Sequence, residues 1–383
     1  MAKKAVSGNG SIRQRPDGRW EGRISLGRDG SGKRLQKSFY GDSQEEVARK
    51  IRQATAQIDE GTFVAPSKMT VKAWLEIWLE EYTGGIKENT LVSYRIQVEK
   101  NILPYIGAIK LSALQPHNIQ KAMNAIHKRP LSAKSVKNVF GVLHKALAQA
   151  VLNGYISKNP CDGVQLPRVE RKDISPLGED EIRAFLKAIS GHKNETLFKV
   201  ALFTGMRQAE LMGLQWRHVD FNAGTIIVCQ QLIHEKKKQG IYKFAPTKTD
   251  NIRKITPAPI VMQWLHQLKK TQAAQRLAMG NQWDTSLPDL VFTNEFGKNM
   301  SNTTLTHQVK RLAGAIGKQG FRFHDLRHSY AVAAIRAGDD MKTISSNLGH
   351  ATISITMDVY ASFTDDMAKA SASRMNDYIC TNF

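Results

Sequence analysis

The sequence predicts a multidomain, mainly helical protein in three parts: a small N-terminal β-sheet plus helix, an all-α middle domain, and a mixed α+β (mainly α) C-terminal domain. Three observations predict it. At 383 residues the chain is long enough for two or three domains. Its hydrophobic pattern has period two over 19–26, helical stripes from 71 to 151, and a mixture of both afterwards. Short Pro-containing segments at 63–68 and 161–173 separate these regimes, giving domains at 9–62, 69–160 and 173–383.

The first part alternates cleanly. Trp20, Gly22, Ile24 and Leu26 share one face, and Arg19, Glu21, Arg23 and Ser25 the other. Asp17-Gly18 and the run Arg28 to Gly32 are turn signals, and Lys33 to Tyr40 forms the next strand. Asp42 or Ser43 caps a helix through about residue 59, before Gly61.

In the second part Val71, Trp74, Leu75, Trp78, Leu79 and Tyr82 mark one buried helical face. Leu91, Tyr94, Val98 and Ile102 make a second stripe, stopped by Pro104. A third runs from Val136 to Val151 and closes at Asn153-Gly154, so four or five helices are expected. In the last part helical patterns at 179–190 and 194–203 precede a β stretch, Thr225 to Ile233. Lys243 to Ile255 reads as its hairpin partner, and Leu290 to Thr293 as a further strand. Helices follow to the end.

Charge narrows the function class. Fifty-five Lys and Arg against 34 Asp and Glu give +21, shared among the parts as about +6, +7 and +8. Excess positive charge on every part points to a polyanionic partner with several contact surfaces. Eight basic residues crowd the first sheet: Arg13, Arg15, Arg19, Arg23, Arg28, Lys33, Arg34 and Lys37. They fit a β-sheet reader of a DNA groove. The three cysteines, Cys161, Cys229 and Cys380, exclude a disulfide framework and a thiolate zinc cluster. No run reaches the length of a membrane helix and the first residues have no signal-peptide core, so a soluble cytoplasmic protein is expected.

Five stretches of the last part cluster chemically useful donors. They are Thr204 to Leu211 with Arg207 and Glu210, Thr247-Lys248-Thr249, His324-Asp325-Leu326-Arg327-His328, Leu348-Gly349-His350, and Tyr360. Singly each is ordinary: a solvated charge, a core tyrosine, or a helix N-terminal acid in the case of Glu210. His324 and His328 have the i, i+4 spacing of a zinc pair, but the arginine between them disfavours a cation. Tyr330 and Tyr378 compete with Tyr360 as nucleophiles; Tyr330 lies in a continuing helix and Tyr378 near the terminus.

In order and spacing these stretches resemble the tyrosine recombinases of the phage integrase family, whose pattern is Arg, Lys, His-x-x-Arg, His or Trp, then Tyr. Every position has its match: Arg207, Lys248, His324, Arg327, His350 and Tyr360. Gln208-Ala209 stands where Arg-Gly is common. The resemblance covers 173–383 closely and the helical domain more loosely, as a core-type DNA-binding domain. The N-terminal sheet is similar to the arm-binding domain of integrases from conjugative transposons and related phages.

The resemblance implies a chemistry that the residue types suit. Attack of a hydroxyl on a phosphodiester builds negative charge on the non-bridging oxygens, and two guanidinium forks can bind it. Tyr360 would be the nucleophile, His324 its base, Lys248 the donor to the leaving 5′ oxygen, and His350 a further donor. Glu210 and His328 would support the site. A 3′-phosphotyrosine conserves the bond energy, so neither metal nor ATP nor any other cofactor is expected, and the chain has no GKS/GKT phosphate loop.

The function implied is site-specific integration and excision of a mobile element. Resolution or inversion, a type IB topoisomerase and an inactive DNA-binding regulator are the alternatives. Implied partners are double-stranded DNA with core and arm sites, a homotetramer on that DNA, an excisionase and a host DNA-bending protein. The implied setting is the bacterial nucleoid.

Overall fold

The computed structural model describes residues 11–28, 34–59, 68–170, 175–235, 241–247, 251–349, 372–373 and 375–381. The chain divides into two compact units, Met1–Arg171 and Lys172–Phe383.

In the first unit β1 (Ser11–Gln14), β2 (Trp20–Arg28) and β3 (Arg34–Gly41) form an antiparallel sheet in that order. Helix α1 (Gln44–Asp59) covers one face, placing Val47, Ile51 and Ala54 against Ile24. Ser43 is its cap, accepting from the Glu46 amide at 3.2 Å while the Glu46 carboxylate accepts from the Asp42 amide at 3.1 Å. The alternation expected of this strand holds for Trp20, Gly22 and Ile24. Glu21, on the polar face, is nevertheless only 2% exposed because two arginines lie over it.

A four-helix core follows: α2 (Val71–Glu81), α3 (Glu88–Ile96) continuing through a π-turn segment Gln97–Ile102 into α4 (Leu103–Ile106), then α5 (Pro116–His127) and α6 (Ala133–Leu152). Pro104 does not stop the second helix as the sequence predicts. The segment just before it is wound wide, with the Leu103 amide donating to Val98, five residues back, and Pro104 opens the next turn. Wider winding accommodates a residue that can neither donate nor fit a regular α turn. Trp74 and Trp78 are fully buried, and the Trp74 indole donates to the Ala146 carbonyl at 2.9 Å. Tyr82, the last residue of the predicted stripe, is instead exposed, its hydroxyl accepting from Asn153 Nδ2 at 2.6 Å. The second linker starts later than predicted: Cys161 is buried, and Val164 and Leu166 pack on the helical core.

The second unit begins with α7 (Glu179–Ile189), α8 (Glu195–Thr204) and α9 (Gln208–Met212). The predicted β stretch is two elements. Strand β5 (Thr225–Val228) lies between β4 (Val219–Asp220) and β8 (Arg253–Ile255), whereas β6 (Gln230–His234) pairs with β7 (Tyr242–Pro246). The apolar run is continuous in sequence, but Cys229 sits between two ladders, β5 with β8 on one side and β6 with β7 on the other. Leu290 to Thr293 is no strand; it makes only isolated bridges, Leu290 with Gln215 and Thr293 with Asn299. Helices α10 (Pro259–Met279), α11 (Asn302–Ala315), α12 (Phe323–Arg336) and α13 (Met341–Leu348) complete the unit. Phe185, Phe198, Leu211, Ile226, Leu265, Val309 and Leu326 belong to one core. Residues 375–381 are helical and exposed. Among the described residues no helix is long and apolar enough to cross a membrane.

Because Trp74 fills the helical core and satisfies a carbonyl there, Trp74→Ala is expected to lower the unfolding free energy by about 3–5 kcal/mol. Urea unfolding of the full chain measures it, and an unchanged midpoint would contradict the packing described.

Candidate active site

The site is built on a turn that only glycine can make. Helix α8 ends at Thr204, whose hydroxyl donates to the Val200 carbonyl at 2.6 Å, and Gly205 follows with φ +61°. A Cβ there would meet Tyr330 Cδ1 at 2.5 Å and Leu348 Cδ2 at 2.6 Å. The turn sets Arg207 at the head of α9, where its amide donates to Glu210 Oε2 at 3.0 Å and its Nη1 to Glu210 Oε1 at 2.7 Å. Glu210 is therefore both a helix-start acid and the anchor of Arg207. It is 1% exposed.

Helix α12 supplies Arg327, 3% exposed. Its Nη1 donates to the Gly205 carbonyl at 2.7 Å and its Nη2 to the Leu348 carbonyl at 2.6 Å. Helix α13 supplies the other wall. Asp340 caps its start, accepting from the Lys342 and Thr343 amides, and Gly349 ends it at φ +64°.

The last carbonyls of a helix lack intrahelical partners and carry the negative end of its dipole. Here three successive ones each receive a guanidinium: Asn347 from Arg253 Nε at 2.8 Å, Leu348 from Arg327, and Gly349 from Arg207 Nη2 at 3.0 Å.

Arg253 was not among the sequence candidates. It grips Glu210 with both ends of its fork, Nη2 to Oε2 at 2.6 Å and Nη1 to Oε1 at 3.1 Å. One sequence cue existed. In β8 Lys254 is exposed and Ile255 buried, so alternation turns Arg253 inward, and an inward arginine needs a buried acceptor.

Electrostatics follow the geometry. Burial raises the Glu210 pKa, but bonds from Arg253 and Arg207 outweigh it and hold the carboxyl below its ordinary value. Burial first, then the Arg207 charge, push Arg327 down to about 9, which leaves it cationic at neutral pH. His324 keeps an open edge to solvent. Even so, the protein packed around the ring, together with His328 and Arg327, pushes it down to about 4. Burial likewise lowers His328. The two imidazoles meet edge to face at 4.9 Å. Among the described residues no three His, Cys, Asp or Glu side chains are grouped to hold a metal.

The structure thus brings together Arg207, Glu210 and Arg327, with His324 and His328 on the Arg327 helix. Lys248, His350 and Tyr360 lie outside the described residues. Gly349 directly precedes His350, and buried Thr247, which donates to the Asn251 carbonyl at 3.0 Å, directly precedes Lys248. Of the competing tyrosines, Tyr330 packs under Gly205, accepts from Asn347 at 3.3 Å and has its pKa raised by burial. Tyr378 is exposed.

Of the eight basic residues of the N-terminal sheet, those with described side chains do not all share one face. Strand register lines up Arg13, Glu21 and Tyr40, with Arg23 beside them, on the face away from α1. Arg13 and Arg23 both bond the Glu21 carboxylate, at 2.7 and 2.9 Å. The Arg13 bond, opposed in part by desolvation and aided by Arg23, holds Glu21 down at about 2; the cover over it is a single layer of surface guanidinium, not a core. Arg15 stacks over Tyr40 with 5.6 Å to the ring centre, and Arg19 is exposed before β2. Lys37 departs from the group: it pairs in register with Ile24, on the helix-covered face. The backbones of Arg28 and Arg34 are in β2 and β3; their side chains, and Lys33 altogether, are outside the described residues.

Comparison with known proteins agrees with this architecture. The profile of the phage integrase family matches residues 176–367, and that of the phage integrase N-terminal SAM-like domain matches 70–127. A XerC-like tyrosine recombinase of Caldanaerobacter subterraneus is 28% identical over 370 residues, spanning 92% of this chain and 95% of that protein. Among solved structures, the Tn1549 transposon integrase in complex with a circular intermediate DNA superposes with a TM-score of 0.67 at 24% identity, covering 80% of this chain and all of that one. A lambda integrase tetramer bound to a Holliday junction gives 0.56 at 19% identity, covering 94% and 96%. The chain belongs to the phage integrase family and is a tyrosine recombinase, an enzyme that cuts and rejoins DNA strands.

Gly205 is required by both its backbone angle and its two neighbours. Gly205→Ala is expected to cost about 1–3 kcal/mol from strain and overpacking and to displace the carbonyl that Arg327 holds. Thermal unfolding together with a DNA-cleavage rate checks this; a variant normal in both would contradict the close packing.

Proposed function

We propose that this recombinase integrates and excises a mobile element, holding the scissile phosphate with Arg207 and Arg327 and attacking it with Tyr360. The observation that carries the reading is the convergence of arginines from α9 and α12 on the carboxyl end of α13, one residue ahead of His350. Two rigid forks with an excess of positive charge suit a phosphorus centre that gains negative charge during attack. Tyrosine, with an ordinary pKa of about 10, needs that field and a base. His324, held neutral, can accept the proton. Lys248 returns a proton to the leaving 5′ oxygen, and His350 donates to the phosphate. Glu210 keeps Arg207 in place, and His328 packs edge to face on His324. Strand rejoining reverses these steps.

The open face of the N-terminal sheet, with Arg13, Arg15, Arg19 and Arg23, binds a second class of DNA site, and the helical domain binds the core site. These assignments use the domains 9–62, 69–160 and 173–383, with the second running on through Leu166, which packs on its core. Lambda integrase is a tetramer on its Holliday junction, and a tetramer on DNA is the assembly proposed here. An excisionase and a host DNA-bending protein complete the reaction in the bacterial cytoplasm, on the nucleoid.

A nicked, end-labelled duplex carrying the element's junction tests the chemistry in EDTA without ATP. A covalent adduct whose peptide maps to Tyr360 is expected, lost in Tyr360→Phe and reduced on the order of 10²-fold or more in Arg207→Ala. An adduct at Tyr330 or Tyr378, or one that requires magnesium, would overturn the mechanism.

The pH profile tests His324. A base whose pKa is depressed stays unprotonated as pH falls through 6.5 and loses function only on approaching about 4. Cleavage at limiting DNA should therefore hold its rate from pH 7.5 to 6. An acid limb centred near 6.5 that disappears in His324→Gln would contradict this.

A further inference from the structure

Arg253 is a buried cation to which the mechanism above gives no task. Its side chain is 9% exposed, against 20% for Arg207. Three of its nitrogens are committed to protein: Nη1 and Nη2 to the two Glu210 oxygens, and Nε to the Asn347 carbonyl. Those bonds join three chain segments, β8, α9 and the last turn of α13. Glu210 is shared with Arg207, and the two carbonyls after Asn347 hold Arg327 and Arg207. Arg253 also lies under the turn that ends α13, since a Cβ on Gly349 would stand 3.0 Å from its Cδ and 3.1 Å from its Nη1.

A carboxylate gripped from one side by a bidentate fork has a fixed plane, and whatever it binds on its other edge inherits that orientation. We propose that Arg253 is a positioning residue that aims the Arg207 guanidinium at the scissile phosphate, acting through Glu210 and the carboxyl end of α13 without touching DNA itself. This rests on Arg207 being a phosphate ligand. Lysine at 253 would keep the charge, but one ammonium cannot span both Glu210 oxygens and the Asn347 carbonyl in the geometry of a planar fork. Charge and geometry can thus be separated by a single substitution.

The test is single-turnover cleavage by the full chain on nicked duplexes carrying either a phosphodiester or a methylphosphonate at the scissile position. In both, the tyrosine oxygen bonds to phosphorus as the bond to the 5′ oxygen breaks; the tyrosine proton leaves to a base and the 5′ oxygen takes one up. The methylphosphonate lacks one negative charge, so an aimed guanidinium matters less to its cleavage.

Arg253→Lys is expected to cut the phosphodiester roughly 10- to 100-fold more slowly, the range for residues that orient a ligand from behind. DNA affinity should be unchanged. On the methylphosphonate the deficit should shrink toward parity, as it should for Arg207→Ala. An equal deficit on both linkages, or none on the phosphodiester, would overturn the proposal.

The double variant Arg207→Ala/Arg253→Lys should be no slower than Arg207→Ala alone; multiplied deficits would also overturn it. If Arg207→Ala itself shows the same deficit on both linkages, the phosphate-ligand reading fails, while the double variant still reports whether Arg253 works through Arg207. Should Arg253→Lys not fold, the uncharged pair Arg253→Gln/Glu210→Gln removes the buried ions together. It is expected to be equally slow on the phosphodiester, and wild-type cleavage by it would count against the proposal.

Discussion

One buried carboxylate organises the second unit. Glu210 accepts from the Arg207 amide and from two guanidinium groups, and is 1% exposed. Taking a carboxylate out of water is costly unless its oxygens are fully bonded by charged partners, and removing one partner of such a group is strongly destabilising. Glu210 meets that condition. Its bonds draw α9 and β8 together, and Arg253 and Arg207 then carry the connection to the carboxyl end of α13, where Arg327 from α12 also ends. Four segments far apart in sequence meet on one acid and three carbonyls.

The charge balance of this centre connects structure to function. Among the described residues three cations face a single carboxylate, and the helix end contributes only about half a negative charge. The surplus shows in Arg327, pushed down to about 9 by burial and by the Arg207 charge beside it. Such a surplus weakens the folded state and is relieved by an anion. In the proposed reaction a phosphodiester brings that anion, and the five-coordinate phosphorus it passes through brings more negative charge. On that proposal the site is electrostatically incomplete without its substrate.

Much of this was legible in the sequence, for physical reasons that also mark its limits. Periodicity found the sheet and the helical stripes because burial on one face imposes a repeat that any window of residues shows. It failed at Pro104, where a wide π turn absorbs the proline, and at Cys229, where one apolar run serves two ladders. Tyr82 kept its spacing but lies at the end of the stripe, past the edge of the core. Ion pairs were the least readable. Glu21 falls on the polar face of its strand in the sequence and is the carboxylate that holds Arg13 and Arg23 together. Arg253 was not singled out in the sequence and is the second grip on Glu210. Local alternation can turn an arginine inward, as in β8, but it does not name the partner it meets in the tertiary structure. Arg207, Arg327, His324 and Glu210 stood out in sequence through their order and spacing, and the structure gives a reason for the glycines beside them: Gly205 and Gly349 let backbone carbonyls reach the guanidinium groups.

The most direct measurement is an experimentally determined structure of the Tyr360→Phe chain on an uncleaved junction duplex. The account predicts Arg207 and Arg327 both within hydrogen-bond distance of non-bridging oxygens of one phosphate, with Arg207 still on Glu210 and Arg253 still spanning Glu210 and Asn347. A phosphate seated elsewhere, or arginines that leave Glu210 to reach it, would contradict the account.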